Sequence, residues 1–199
     1  MAFGYPSMSF VGIPIPVPSA GSTGFGLRTA VDRDAPAVLE HYRQLSPDDR
    51  RMRFCATMGP AALERHVERI GSRGGVVLLA FDRPRFQTPF LRHGAVRAVA
   101  ELVGTGREME LGISVDAGLR RRGLGTELVE TAAHLLGLRG VRSIRAYTLP
   151  GNRSFLGLAR TAGATIDAGA DEVEVTFDVA PLRLGYLRRR AENAFRLGR

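Results

Sequence analysis

The 199-residue chain has no lysine and no tryptophan, and it has one cysteine. All 28 of its basic residues are therefore arginine. A chain without lysine offers no lysine side chain for modification. The lone Cys55 excludes an internal disulfide framework and suits a reducing, cytoplasmic compartment. No Cys/His cluster has the spacing of a zinc site, so no metal is expected. No apolar run nears the ~18 residues of a membrane helix, so no transmembrane segment is expected. The first 26 residues carry no charged side chain. They also lack the basic start and unbroken apolar core of a signal peptide.

The composition that remains, 44% hydrophobic and 24% charged, is that of a soluble protein with one well-sized core. The net charge of +8 is unevenly placed, because residues 182–199 hold six Arg and one Glu. The rest is close to balance, so the charge reads as a basic tail plus a local anion site. No nucleic-acid partner is expected. Three segments follow: an apolar Pro/Gly-rich arm over 1–26, a domain over 27–180 and a basic tail over 181–199. The Ile13-Pro14-Ile15-Pro16-Val17-Pro18 run must be extended. The tail reads as a solvated helix end or as an interface.

Along the chain, Phe25 to Ala30 predicts a strand. Asp32 or Asp34 caps a helix that has Pro36 in its first turn. Ser46-Pro47 and Pro60 open two further helical pieces. Val76 to Phe81 is a continuous apolar run, read as a buried strand. Residues 82–94 read as a loop, and Ala95 to Val103 as a strand. Gly104-Thr105-Gly106 turns into a strand holding Glu110. A helix starts near Gly123, a strand runs from Val141 to Leu149, and Asn152 or Ser154 opens a helix that Gly163 closes. Val173, Val175, Phe177 and Val179 alternate with polar residues as a strand with one wet face, and Pro181 ends the domain. This order predicts an α/β fold, a mixed sheet with helices on both faces.

The chain is organised around Glu110 to Val129: a strand, a glycine turn carrying Arg120, Arg121 and Arg122, and a helix. A helix N-terminus with free N–H groups, glycines that allow close approach and adjacent arginines suits a phosphate or pyrophosphate. The pattern is Arg120-x-x-Gly123-x-Gly125, which is neither a Walker loop nor a dinucleotide fingerprint. It resembles the acetyl-CoA signature of the GNAT acetyltransferase superfamily. Asn152, Leu158 and Gly163 are similar to that family's second helix signature, without its closing Lys and Phe. Leu27-Arg28-Thr29-Ala30 with Asp34, Leu45-Ser46-Pro47, Arg53-Phe54 and Leu149-Pro150-Gly151-Asn152-Arg153 resemble bacterial protein lysine acetyltransferase domains. The resemblance implies a mostly antiparallel sheet in which two parallel neighbours splay apart around coenzyme A. It implies cosubstrate contacts from Ser114, Val115, Arg120, Arg121, Arg122, Gly123, Leu124, Gly125, Thr126, Asn152 and Ser154.

Acetyl transfer to an amine needs a neutral amine, a polarised thioester carbonyl and a tolerated thiolate. Glu110, thirteen residues before Gly123, is the candidate base. The resemblance places the family's catalytic glutamate at that register, and polarising N–H groups around Val115. Glu101 and Glu108 read as ordinary strand glutamates, and His41, His66, His93 and His134 as structural. Ala159 stands where many family members carry a tyrosine acid, leaving Ser154, water or an unassisted thiolate. The expected function is acetyl-CoA-dependent transfer to a primary amine, first a protein lysine. A small-molecule amine and a non-catalytic acyl-CoA-binding module remain as alternatives, and a homodimer stays open.

Overall fold

The computed structural model describes residues 16–17, 24–70, 75–82 and 94–197. Most of the apolar arm, and the expected loop except for its two ends, lie outside the described residues. The strands are β1 (Pro16–Val17), β2 (Phe25–Thr29), β3 (Val76–Asp82), β4 (Val96–Val103), β5 (Glu108–Val115), β6 (Ser143–Thr148), β7 (Thr165–Ala168) and β8 (Val173–Asp178). The helices are α1 (Ala35–Gln44), α2 (Pro47–Phe54), α3 (Pro60–Ile70), α4 (Leu124–Gly137), α5 (Arg153–Thr161) and α6 (Val179–Leu197).

One sheet runs in the order β1-β2-β3-β4-β5-β6-β8-β7. Every neighbouring pair is antiparallel except β5–β6. That parallel pair is short, joining Glu108–Glu110 to Ser143–Arg145. Beyond it β5 stays paired to β4 up to Val115, and β6 to β8 up to Thr148, while the two part from each other. The expected splayed pair is present, and it leaves residues 111–115 of β5 without a strand partner on the β6 side.

The apolar periods explain the layers. Leu124, Leu128, Ala132, Ala133 and Leu136 of α4 bury against one face, with Leu111, Ile144, Val175 and Phe177. Val38, Tyr42 and Leu45 near α1 and Leu63, Val67 and Ile70 of α3 cover the other face at Val77, Leu79 and Val99. Regular alternation on β5 puts Met109 and Leu111 on the α4 side and Glu110, Gly112 and Ser114 on the α1–α2 side.

Three local expectations change. Asp34 stands at the start of α1, but its carboxylate makes no side-chain cap. It instead accepts from Arg28 and from the Val31 N–H. Pro181 does not end the fold; it sits in the first turn of α6, where a missing N–H costs nothing. Asp178 accepts the Ala180 N–H there, and Val179, Leu182 and Tyr186 are buried on the α4 side. The edge strand β7 had no visible signal, because its four mostly exposed residues offer Ile166 as the one bulky apolar position.

Candidate active site

Between the open end of β5 and the N-terminal ends of α4 and α5 lies a cavity of about 630 Å³. Its walls come from Ile113, Ser114 and Val115 of β5, from the turn before α4, from α5, and from Asp49, Met52 and Arg53 of α2. The volume is that of a small-molecule site. Among the described residues, Arg53, Arg120, Arg121 and Arg153 line it against a single acid, Asp49, so the field inside favours an anion.

The turn is built by two left-handed residues, Arg121 at φ 59° and Gly123 at φ 82°. Gly123 is the residue before α4, and the absence of a Cβ lets it hold that angle without strain. The first N–H of the helix region to bond back is that of Glu127, to the Gly123 carbonyl at 2.9 Å. The N–H groups of the preceding helical residues have no intrahelical acceptor and face the cavity end of the helix dipole. Arg120 reaches back from the turn. Its Nε donates to the Val115 carbonyl at 3.2 Å, and its Nη2 pairs with Asp49 at 2.8 Å. Burial raises the Asp49 carboxyl, but hydrogen bonds from Arg120 and Ser46 with the charge of Arg120 bring it below its ordinary value.

On the opposite wall Asn152 caps α5, its Oδ1 accepting the Phe155 N–H at 3.2 Å. Its Nδ2 donates to Thr148 Oγ1 at 2.8 Å, and Thr148 Oγ1 lies 3.4 Å from the Met52 carbonyl that it donates to. This chain ties the end of β6, the start of α5 and α2 together around the cavity.

Two buried polar clusters underlie β5 on its α1–α2 face. Glu101 of β4 is 4% exposed and is not an ordinary surface glutamate. It pairs with Arg53 at 3.0 Å and with His66 Nε2 at 3.0 Å, and accepts from the Tyr42 hydroxyl. Burial raises its carboxyl, but Arg53, His66 and Tyr42 outweigh burial and bring it to about 2. The Arg53 guanidinium lies on Gly112, where any Cβ would overlap it, and 4.7 Å from the Phe54 ring centroid. In the second cluster His41 Nε2 meets Ser114 Oγ at 2.8 Å, and His41 Nδ1 is 3.2 Å from Asp116 Oδ1. Arg97 lies 3.3 Å from Asp116 and 2.8 Å from Asp82.

The structure brings Ser114, Val115, Arg120, Arg121, Gly123, Gly125, Thr126, Asn152 and Ser154 to one cavity. Leu124 is 1% exposed and packs in the core, while Arg122 is exposed and outside the lining. Glu110 is also exposed and outside the lining, on the same face of β5 as Gly112 and Ser114. Burial and the charges of Glu172 and Glu110 push the Cys55 thiol up, against Arg53. Sequence reading missed Asp49 and Met52 as wall residues. Their spacing with Arg53 on a capped helix was the available signal, since positions three and four apart share one face. The role of Glu101 had no local signal, because its partners come from α1, α2 and α3.

Residues 75–164 match the family model described as Acetyltransferase (GNAT) family. That match covers 90 of the 199 residues and marks this segment as similar in sequence to the GNAT family. No curated protein sequence matches the chain. Among solved structures, the chain is similar to the GNAT domain of S. lividans PAT, with 23% identity and a TM-score of 0.65 over 77% of this chain and 90% of that one. It is similar to spermidine N-acetyltransferase from Vibrio cholerae, solved with CoA and spermine: 12% identity, TM-score 0.62, 81% of this chain and 99% of that one. It is also similar to the ribosomal-protein-S5-alanine acetyltransferase of Vibrio fischeri, at 12% identity and TM-score 0.60, over 79% and 94%. At these identities the likenesses establish the fold. No described helix is long and apolar enough to cross a membrane.

Proposed function

We propose that this chain moves an acetyl group from acetyl-CoA to a primary amine, and that the amine is a lysine side chain of another protein. The observation that carries this reading is the cavity itself. It runs from an arginine-lined helix N-terminus to the unpaired edge of β5, so one end suits a diphosphate and the other an extended amide-bearing arm. Acetyl-CoA, when bound, supplies the activated acetyl thioester.

The protein's residues then have distinct tasks. Arg121, Arg120 and the first-turn N–H groups of α4 hold the phosphates. The backbone of residues 111–115 pairs with the arm and aims N–H groups at the thioester carbonyl. Glu110 takes the proton that an ammonium of pKa ~10.4 must lose before it can attack, directly or through a water. Glu108, Glu110 and Glu172 are exposed and Glu174 half-buried on β5 and at β8, with Arg145 pairing Glu108 and Glu174, so Glu110 and Glu172 suit a cationic acceptor. Preference for a protein lysine rests on the resemblance of the front half of the chain.

Calorimetric titration tests the site: acetyl-CoA should bind saturably, and acetyl-pantetheine, which lacks the phosphates, should bind far more weakly. Mass spectrometry of acetylated lysine peptides and of spermidine then tests the acceptor. Faster transfer to spermidine than to any peptide would replace the lysine reading with a small-amine one. Glu110→Gln should abolish transfer while keeping acetyl-CoA affinity; unchanged transfer removes Glu110 as the base.

A further inference from the structure

Among the described residues, the cavity lining contains no histidine, cysteine, tyrosine or lysine. The groups there able to give a proton to a departing sulfur are arginines and the hydroxyls of Ser114, Thr126, Ser154 and Thr161. Thr161 Oγ1 already donates to the Gly157 carbonyl. Ser114 differs from the others because an imidazole stands behind it. Its Oγ is 2.8 Å from His41 Nε2, and His41 Nδ1 is 3.2 Å from Asp116 Oδ1. The His41 side chain is fully shielded from solvent, while Ser114 sits in the cavity wall. Asp116 is in turn faced by Arg97 from β4. The buried His41 therefore stands between the partly exposed Asp116, at ion-pair distance without hydrogen-bond geometry, and the Ser114 hydroxyl in the cavity wall, an order of groups that moves protons in other enzymes.

Building on the transferase reading above, we infer that Ser114 is the proton donor to the leaving thiolate, with His41 and Asp116 as positioning residues that recharge it. Glu110 and Ser114 share one face of β5, four residues and roughly 13 Å apart along the strand. The base and the acid thus lie at the two ends of one strand segment. As the C–N bond forms and the C–S bond breaks, Ser114 gives its hydroxyl proton to sulfur. His41 Nε2 passes its proton to Ser114 Oγ. The Asp116 carboxylate faces the positive charge that the imidazole must carry to give this proton, and the proton is replaced afterwards from water in the cavity through Ser114, because His41 itself is shielded from solvent. The amine proton leaves through Glu110, so protons balance and no oxidant or metal is required.

The test uses the full chain with acetyl-CoA and hydroxylamine, an amine probe that is neutral at pH 7 and needs no recognised acceptor. Thiol release is followed, with acetyl-CoA affinity measured separately. Ser114→Ala is expected to keep that affinity and lower kcat about tenfold to hundredfold. Ser114→Cys, which restores a donor, should recover most of the loss. His41→Gln should cost a similar factor alone and almost nothing more in the Ser114→Ala background. If Ser114→Ala does not fold, Asp116→Asn serves instead, lowering kcat at unchanged KM while the Ser114–His41 contact remains. A kcat within twofold of the parent in Ser114→Ala, or in Asp116→Asn where that variant stands in, overturns the inference. So do additive losses, or an acetyl group found covalently on Ser114 in quenched protein. Absent acetyl-CoA binding by the parent chain would instead overturn the transferase reading on which this one stands.

Discussion

Replacing Glu101 with Gln removes the charge at the centre of the cluster beneath Gly112. The carboxyl falls from an ordinary 4.5 to about 2 in the folded protein. At ~1.36 kcal/mol per pKa unit, this amounts to about 3 kcal/mol of stability. Breaking a buried ion pair by removing one partner costs ~3–5 kcal/mol, so the two routes agree. The sign follows from a depressed pKa. The contribution is complete above about 4.5 and is lost as pH falls through about 2. Urea unfolding at pH 7 should therefore show Glu101→Gln less stable by about 3 kcal/mol, with a Tm lower by roughly 6–12 °C. The gap should narrow steadily between pH 4.5 and 2. Adding Arg53→Met to Glu101→Gln should recover part of the loss, because it removes the unpaired buried cation. A gap under ~1 kcal/mol at pH 7, or one of constant size down to pH 2.5, would refute the electrostatic reasoning.

Other variants probe the remaining parts. Gly123→Ala forces a Cβ into a left-handed position at φ 82° and should cost about 1–2 kcal/mol by denaturant titration, with weaker acetyl-CoA binding by calorimetry. Asp49→Asn frees Arg120 from its carboxylate at 2.8 Å. Acetyl-CoA affinity should rise severalfold at low salt, with stability changed by less than ~1 kcal/mol; an unchanged affinity would mean that Arg120 does not meet the phosphates. Tyr186→Ala empties a fully buried position on α6 and should cost about 3–5 kcal/mol in urea unfolding. A loss below ~1 kcal/mol would show that α6 is dispensable for the fold.

Much of the domain could be read without coordinates because its signals are local. The period of α4, the alternation in β8, the proline starts of α2 and α3 and the cap at Asn152 each depend on residues a few positions apart. The glycine turn before α4 was legible for the same reason: a strand end, Gly123 and a helix start follow one another in the chain. What only tertiary structure decided is the chemistry that crosses between elements. Glu101 and Glu110 look alike in sequence, nine residues apart. Yet one meets Arg53, Tyr42 and His66 in the interior while the other faces solvent. His41 reads as one more residue of α1 until β5 sets Ser114 against one of its nitrogens and Asp116 near the other. Periodicity assigns a residue to a face. Which polar groups meet across that face depends on how separate elements stack, and that was decided by packing.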